Sequence, residues 1–116
     1  MSVYKIFHNP RCSKSRQALQ LLKDNNCKIE IISYLEINLE VSVIEDILKK
    51  LALKPRDILR KGEQEYKDNN LKKDNLSEED LINYMIKYPK LIERPIVVKG
   101  DKAVIGRPPE NVLELI

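Results

Sequence analysis

One histidine and two cysteines are all that this chain of 116 residues offers a thiophilic metal ion. Three such ligands, widely spaced, do not make a coordination set, so no metal site is expected. Long apolar runs are missing too, and no stretch approaches the length of a membrane span. Charge of one sign is absent: 21 Lys and Arg stand against 18 Asp and Glu, for a net charge of +3. A surface mixed in this way does not point to nucleic acid. No signal-peptide pattern opens the chain, because Lys5 and His8 interrupt the short apolar stretch, and a cytoplasmic location is expected. Repeats, low-complexity segments and domain linkers are lacking as well.

What remains is a composition of 42% hydrophobic and 34% charged residues, as in a globular protein. The length suits one domain, with enough chain to bury a core without staples. Residues 3–33 read as strand, helix, strand, the helix running from about Ser13 to Asn25 with Ala18, Leu19 and Leu22 on one face. A unit of this length predicts two parallel strands joined by a crossover. The middle is helical. Ser42 and Glu45 are spaced as a capping box, and Ile44, Ile47, Leu48 and Leu51 follow as an apolar stripe. Pro55 opens a short helical piece that Gly62 breaks, and residues 61–75 read as polar turns. Ser77 caps another helix, with Leu81, Tyr84, Met85 and Tyr88 as its inner face, and Pro89 stops it. Pro95-Ile96-Val97-Val98 then begins a hairpin that turns at Lys99-Gly100-Asp101-Lys102 and returns through Ala103-Val104-Ile105. A last helix opens at Pro108 or Pro109 and turns Val112, Leu113 and Ile116 inward. The order is β-α-β, an inserted helical block, then β-β-α.

The chemistry concentrates in His8-Asn9-Pro10-Arg11-Cys12-Ser13-Lys14-Ser15-Arg16. Cys12 sits where the first strand hands over to the first helix. Unpaired N–H groups and the positive end of the helix dipole meet there. Lys14, Arg16 and His8 add positive charge or hydrogen-bond donors. An ordinary cysteine with a pKa near ~8.5 is about 3% thiolate at pH 7. One lowered to about 6.5 is roughly three-quarters thiolate. The placement therefore marks Cys12 as a nucleophile. Open α/β sheets put their sites at this carboxyl end of the strands.

Arg60, Arg94 and Arg107 each lie beside apolar residues near the end of an element. Arg94 precedes Pro95 and Arg107 precedes Pro108, which restricts their backbones. Guanidinium groups match tetrahedral oxyanions bidentately, so arginines converging on Cys12 would bind an anion beside the nucleophile. Pro95, just before the third strand, is a candidate cis proline. Cys27 reads either as a small residue packed at a strand edge or as a resolving thiol for Cys12.

Five motifs in order carry a family resemblance over Tyr4 to Leu115. They are His8-Asn9-Pro10-x-Cys12-x-x-Ser15-Arg16, Tyr34-Leu35-Glu36, Leu59-Arg60-Lys61, Arg94-Pro95-Ile96-Val97-Val98 and Arg107-Pro108-x-Glu110. The chain resembles the glutaredoxin-coupled arsenate reductases, the ArsC family of the thioredoxin-like superfamily. The resemblance implies an α/β, thioredoxin-like fold with a mixed four-stranded sheet. It implies one domain over residues 1–116 with a helical insertion at about 40–90, and a cis peptide at Pro95. It also implies that Cys12 attacks arsenate, that Arg60, Arg94 and Arg107 hold the oxyanion, and that His8 helps keep the cysteine ionised. Ser15 is placed to hydrogen-bond the thiolate. Glutathione would serve as co-substrate and glutaredoxin as partner, with no bound cofactor. Arg11, Ser13 and Lys14 make the loop more basic than is usual in the family.

Rival readings differ at single positions. Spx-type regulators, which bind RNA polymerase, share the fold, but many carry Cys-x-x-Cys where this chain has Ser15, and they generally lack the Arg107-Pro108 pair. Related thiol reductases with another substrate remain an alternative. Phosphatase-like arsenate reductases need Cys-x5-Arg, and the sixth residue after Cys12 is Ala18. A dithiol oxidoreductase would need a partner cysteine a few residues along from Cys12, and Lys14 and Ser15 stand there.

Overall fold

The computed structural model describes residues 3–116. The chain divides into two compact units, one made of the chain through Ile37 together with Arg94–Ile116, the other of Asn38–Glu93.

The first unit contains strand β1 (Val3–Phe7), helix α1 (Ser13–Asp24), and strands β2 (Lys28–Ile32), β3 (Ile96–Lys99) and β4 (Lys102–Ile105). The strands lie in the order β2-β1-β3-β4. β1 and β2 run parallel, with Val3 opposite Lys28 and Phe7 opposite Ile32. Parallel neighbours need a crossover, and α1 supplies it. β3 pairs antiparallel with β1, and β4 antiparallel with β3. This is the mixed four-stranded α/β sheet that the family resemblance implies. Lys99 faces Lys102 across the hairpin, which leaves Gly100 and Asp101 as its two-residue loop. Gly100 has φ +61°, a conformation without penalty for a residue lacking Cβ.

Tyr4, Ile6 and Val97 from the sheet pack with Ala18 and Leu22 from α1, and with Val112 and Leu115 from a 3₁₀ segment, Pro109–Leu115. Leu22 is fully buried, so its truncation to alanine would cost about 2–5 kcal/mol. The inward face of the last segment differs from the sequence expectation. Pro109, Val112 and Leu115 are buried, whereas Leu113 and Ile116 are 43% and 50% exposed. A 3₁₀ helix has three residues per turn, so every third side chain shares a face.

The second unit holds helices α2 (Val41–Leu51), α3 (Gln64–Asp68) and α4 (Glu78–Lys87), with 3₁₀ turns at Pro55–Ile58 and Pro89–Leu91. α2 buries Ile44, Ile47 and Leu48 as its stripe requires. Its start corrects the expected Ser42–Glu45 capping box. The N-cap is Glu40, without a side-chain cap bond, and Ser42 already lies inside the first turn. A capping side chain needs an extended backbone, which Ser42 no longer has. Ser77 does cap α4: its Oγ accepts the Asp80 N–H at 3.0 Å, and its own N–H donates to Asp80 Oδ2 at 3.1 Å. α4 buries Leu81, Ile82 and Met85, with Tyr84 only half-buried. The polar stretch 61–75 hides two side chains, Tyr66 and Leu71. The Arg56 guanidinium pins it by donating to the carbonyls of Leu71 (2.8 Å) and Lys73 (2.9 Å). Among the described residues no helix is long and apolar enough to cross a membrane.

Candidate active site

Cys12 is the N-cap residue of α1, with an extended backbone at φ −94° and ψ 122°. Its own N–H donates to the Asn9 carbonyl at 3.0 Å, and its carbonyl accepts the Arg16 N–H at 3.0 Å. A serine or aspartate here would direct an oxygen at the N–H groups two and three residues on. The sulfur meets those groups instead, and no carboxylate in the first turn competes for them.

Burial alone would push the Cys12 thiol up, and it is the largest single influence. Against it act the Ser15 backbone N–H, the Arg94 guanidinium as hydrogen-bond donor and as charge, and the Lys14 backbone N–H. Together they hold the thiol below its ordinary value. Arg107 closes from the other side, its Nη1 3.7 Å from Sγ. The same Nη1 donates to the Arg94 carbonyl at 3.1 Å, which ties the two arginines to each other. The Arg94–Pro95 and Arg107–Pro108 peptides are both cis. The first agrees with the sequence expectation, and the second was not anticipated.

His8 and Ser15 are buried and touch each other, with His8 Nδ1 2.7 Å from Ser15 Oγ. Ser15 Oγ also accepts the Asn9 N–H at 3.0 Å. The hydroxyl is thus engaged with His8 and Asn9, and it is the main chain of Ser15 that reaches the sulfur. Burial lowers the His8 pKa, and the charges of Arg16 and Lys23 lower it further. A ring kept neutral in this way can accept the Ser15 hydroxyl proton at Nδ1. His8 thus touches the residue whose main chain reaches the sulfur.

Asn9 is the residue that sequence reasoning passed over. It is buried, its Oδ1 accepts the Arg11 N–H at 3.0 Å, and its backbone serves both Cys12 and Ser15. Asparagine commonly binds the N–H two residues on in this fashion, so its position two before Arg11 was the available signal. Arg16 is exposed and its Nη1 donates to the Pro10 carbonyl at 2.8 Å.

Arg60 belongs to the second unit. An isolated bridge between Leu59 and Ile92 brings Arg60 and Glu93 side by side. Arg60 Nη1 and Glu93 Oε1 form an ion pair at 2.6 Å, with both side chains mostly buried. Cys27 lies beyond the other end of α1. Twelve helical residues separate it from Cys12, a rise of about 18 Å. A disulfide spans no more than about 7 Å between Cα atoms, so Cys27 cannot resolve Cys12 within one chain. It packs half-buried against the first unit's core. Among the described residues no cluster of His, Cys, Asp or Glu could hold a metal ion.

A lowered thiol between two guanidinium groups is equipped to bond the centre of a bound oxyanion. Comparison with known proteins bears on which one. Residues 7–115 match the ArsC family. The chain belongs to that family. An Arsenate reductase of Neisseria meningitidis is 42% identical over 113 residues, covering 97% of each chain. The uncharacterized protein YfgD of Escherichia coli is 51% identical over 97% of this chain and 95% of its own. The solved Arsenate reductase from Vibrio cholerae superposes with a TM-score of 0.96 at 42% identity, covering 99% of this chain and 98% of its own. The thioredoxin-like ArsC fold therefore extends over nearly all of this chain, including Cys12, Arg94 and Arg107.

Proposed function

We propose that this protein reduces arsenate to arsenite through Cys12, with glutathione and a glutaredoxin supplying the electrons. The observation that carries the reading is the Cys12 sulfur, lowered in pKa and contacted by both Arg94 and Arg107. The thiolate attacks arsenic, a sulfur–arsenic bond forms and one arsenate oxygen leaves as water. Arg94 and Arg107 offset the oxyanion charge as it crowds the thiolate. Glutathione displaces a second oxygen from the adduct. A glutaredoxin thiol then takes the glutathionyl sulfur, and the bonding electron pair stays on arsenic. Arsenic gains two electrons, the two thiols depart as a mixed disulfide, and water frees arsenite from Cys12. His8 and Ser15 hold the loop, and Arg60 joins the anion-binding set on the strength of the Leu59-Arg60-Lys61 motif. Glutathione as donor suits a reducing cytoplasm.

Ser15 argues against a Cys-x-x-Cys switch, since a bound hydroxyl stands where the second sulfur would be. The test is a coupled assay with arsenate, glutathione, glutaredoxin, glutathione reductase and NADPH. NADPH oxidation that needs arsenate, glutaredoxin and Cys12 supports the reading. No arsenate-dependent oxidation, or equal rates with Cys12→Ser, overturns it.

A further inference from the structure

Gly106 has neighbours on two sides that leave no room for a side chain. A Cβ built there would lie 2.8 Å from Pro95 Cγ and 3.4 Å from Pro95 Cδ, and 3.3 Å from the Cβ of Ala18 in α1. Carbon atoms settle near 3.5–4.0 Å, so the first of these contacts is prohibitive. The proline ring cannot swing aside as a flexible chain end would. The backbone is fixed as well: the Gly106 N–H donates to the Pro95 carbonyl at 2.8 Å. Asn111 Nδ2 donates to the carbonyls on either side, Ile105 (3.1 Å) and Arg107 (3.3 Å).

The neighbours of this contact are the cationic groups of the site. Arg94 precedes Pro95, and Arg107 follows Gly106. Ala18 lies on the helix whose N-cap is Cys12. The gap between Pro95 and Ala18 therefore sets how closely both arginines approach the sulfur. We propose that Gly106, held by Asn111, is a positioning residue whose missing side chain lets Arg94 and Arg107 close on Cys12. This rests on the reading of Cys12 as the reactive thiolate, though not on arsenate being its substrate.

Iodoacetamide alkylation of Cys12, followed against pH in the Cys27→Ser protein, reads the effect without any arsenic. Gly106→Ala should shift the inflection toward higher pH and slow alkylation on the acid side about threefold to tenfold. Adding Ala18→Gly gives the new methyl room toward α1 and should restore much of the wild-type profile. It should do so even though a glycine inside the helix lowers the melting temperature further. Gly100→Ala is the control. It strains a φ of +61° at the hairpin tip and should lower the melting temperature with the profile unchanged. Asn111→Ala frees the same segment from a half-buried position and should shift the profile in the same direction, which keeps the proposal testable should Gly106→Ala not fold. A wild-type profile in Gly106→Ala, or in Asn111→Ala where only that variant folds, overturns the proposal. So does a shift that Ala18→Gly deepens instead of reversing. A shift in the variants alongside a wild type that reduces no arsenate leaves the positioning intact and removes only the substrate.

Discussion

The two ends of α1 carry one cysteine each, and they do opposite things. At the N-terminal end Cys12 meets unpaired N–H groups, Arg94 and Arg107, and its thiol is lowered. Beyond the C-terminal end Cys27, like Leu19, Leu21, Ile29 and Val104, packs partly buried against the core. Its sulfur is 3.9 Å from the Asn25 carbonyl. On the proposed reading the donors gathered round Cys12 make it a nucleophile, while Cys27 serves as a packing residue. The comparison also disposes of a disulfide between them, since a whole helix keeps them apart.

The sharpest way to break this contrast is to remove each sulfur in turn. Cys12→Ser should abolish arsenate reduction with little change in melting temperature, and Cys27→Ser should keep nearly full turnover. Activity that survives the first change, or vanishes with the second, would reverse the assignment of the two ends. Next in size are the arginines that contact Cys12. Arg94→Ala and Arg107→Ala should each lower kcat/KM for arsenate by about 10²-fold, in line with losing one preorganised donor. Each should also raise the Cys12 thiol toward its ordinary value, while lysine at either position should recover part of the loss.

A smaller effect tests the neutral histidine behind the loop. The His8 pKa is lowered in the folded protein, so the unfolded chain binds a proton more readily. The stability this gives is present above the unfolded value, about 6.5, and is lost as pH falls through the folded one. Melting temperature measured below about pH 6.5 should therefore fall less steeply in His8→Gln than in the wild type. An unchanged slope would mean that folding does not lower the His8 pKa. The smallest effect belongs to the packed end. Cys27→Ala should cost about 1 kcal/mol by urea unfolding and leave turnover alone.

Much of this was readable in the residues because the signals were local. The strand-helix-strand unit, the apolar stripe of α2, the Ser77 cap and the Gly100 turn each depend on a few neighbouring positions, and each formed as expected. Cys12 was legible for the same reason, since a strand–helix junction is a local event with a known dipole. Three features were not. The inner face of Pro109–Leu115 depends on choosing three residues per turn over 3.6, and the sequence there allows either. Ser42 looked like a cap, but the N-cap is Glu40, two residues earlier, without a side-chain cap bond. The contact between Gly106 and Pro95 joins positions eleven apart across a hairpin, so only the pairing of β3 with β4 reveals it. The motif His8-Asn9-Pro10 showed that Asn9 stands beside the nucleophile. Its three hydrogen bonds within the loop became visible only with the loop's path.

The claim on which the account turns is that Cys12 is a thiolate near neutral pH. Titrating the thiolate ultraviolet absorbance of the Cys27→Ser protein measures it directly. The account predicts an inflection clearly below that of an ordinary cysteine, moving upward in Arg94→Ala. An inflection at or above the ordinary value, indifferent to Arg94, would contradict it.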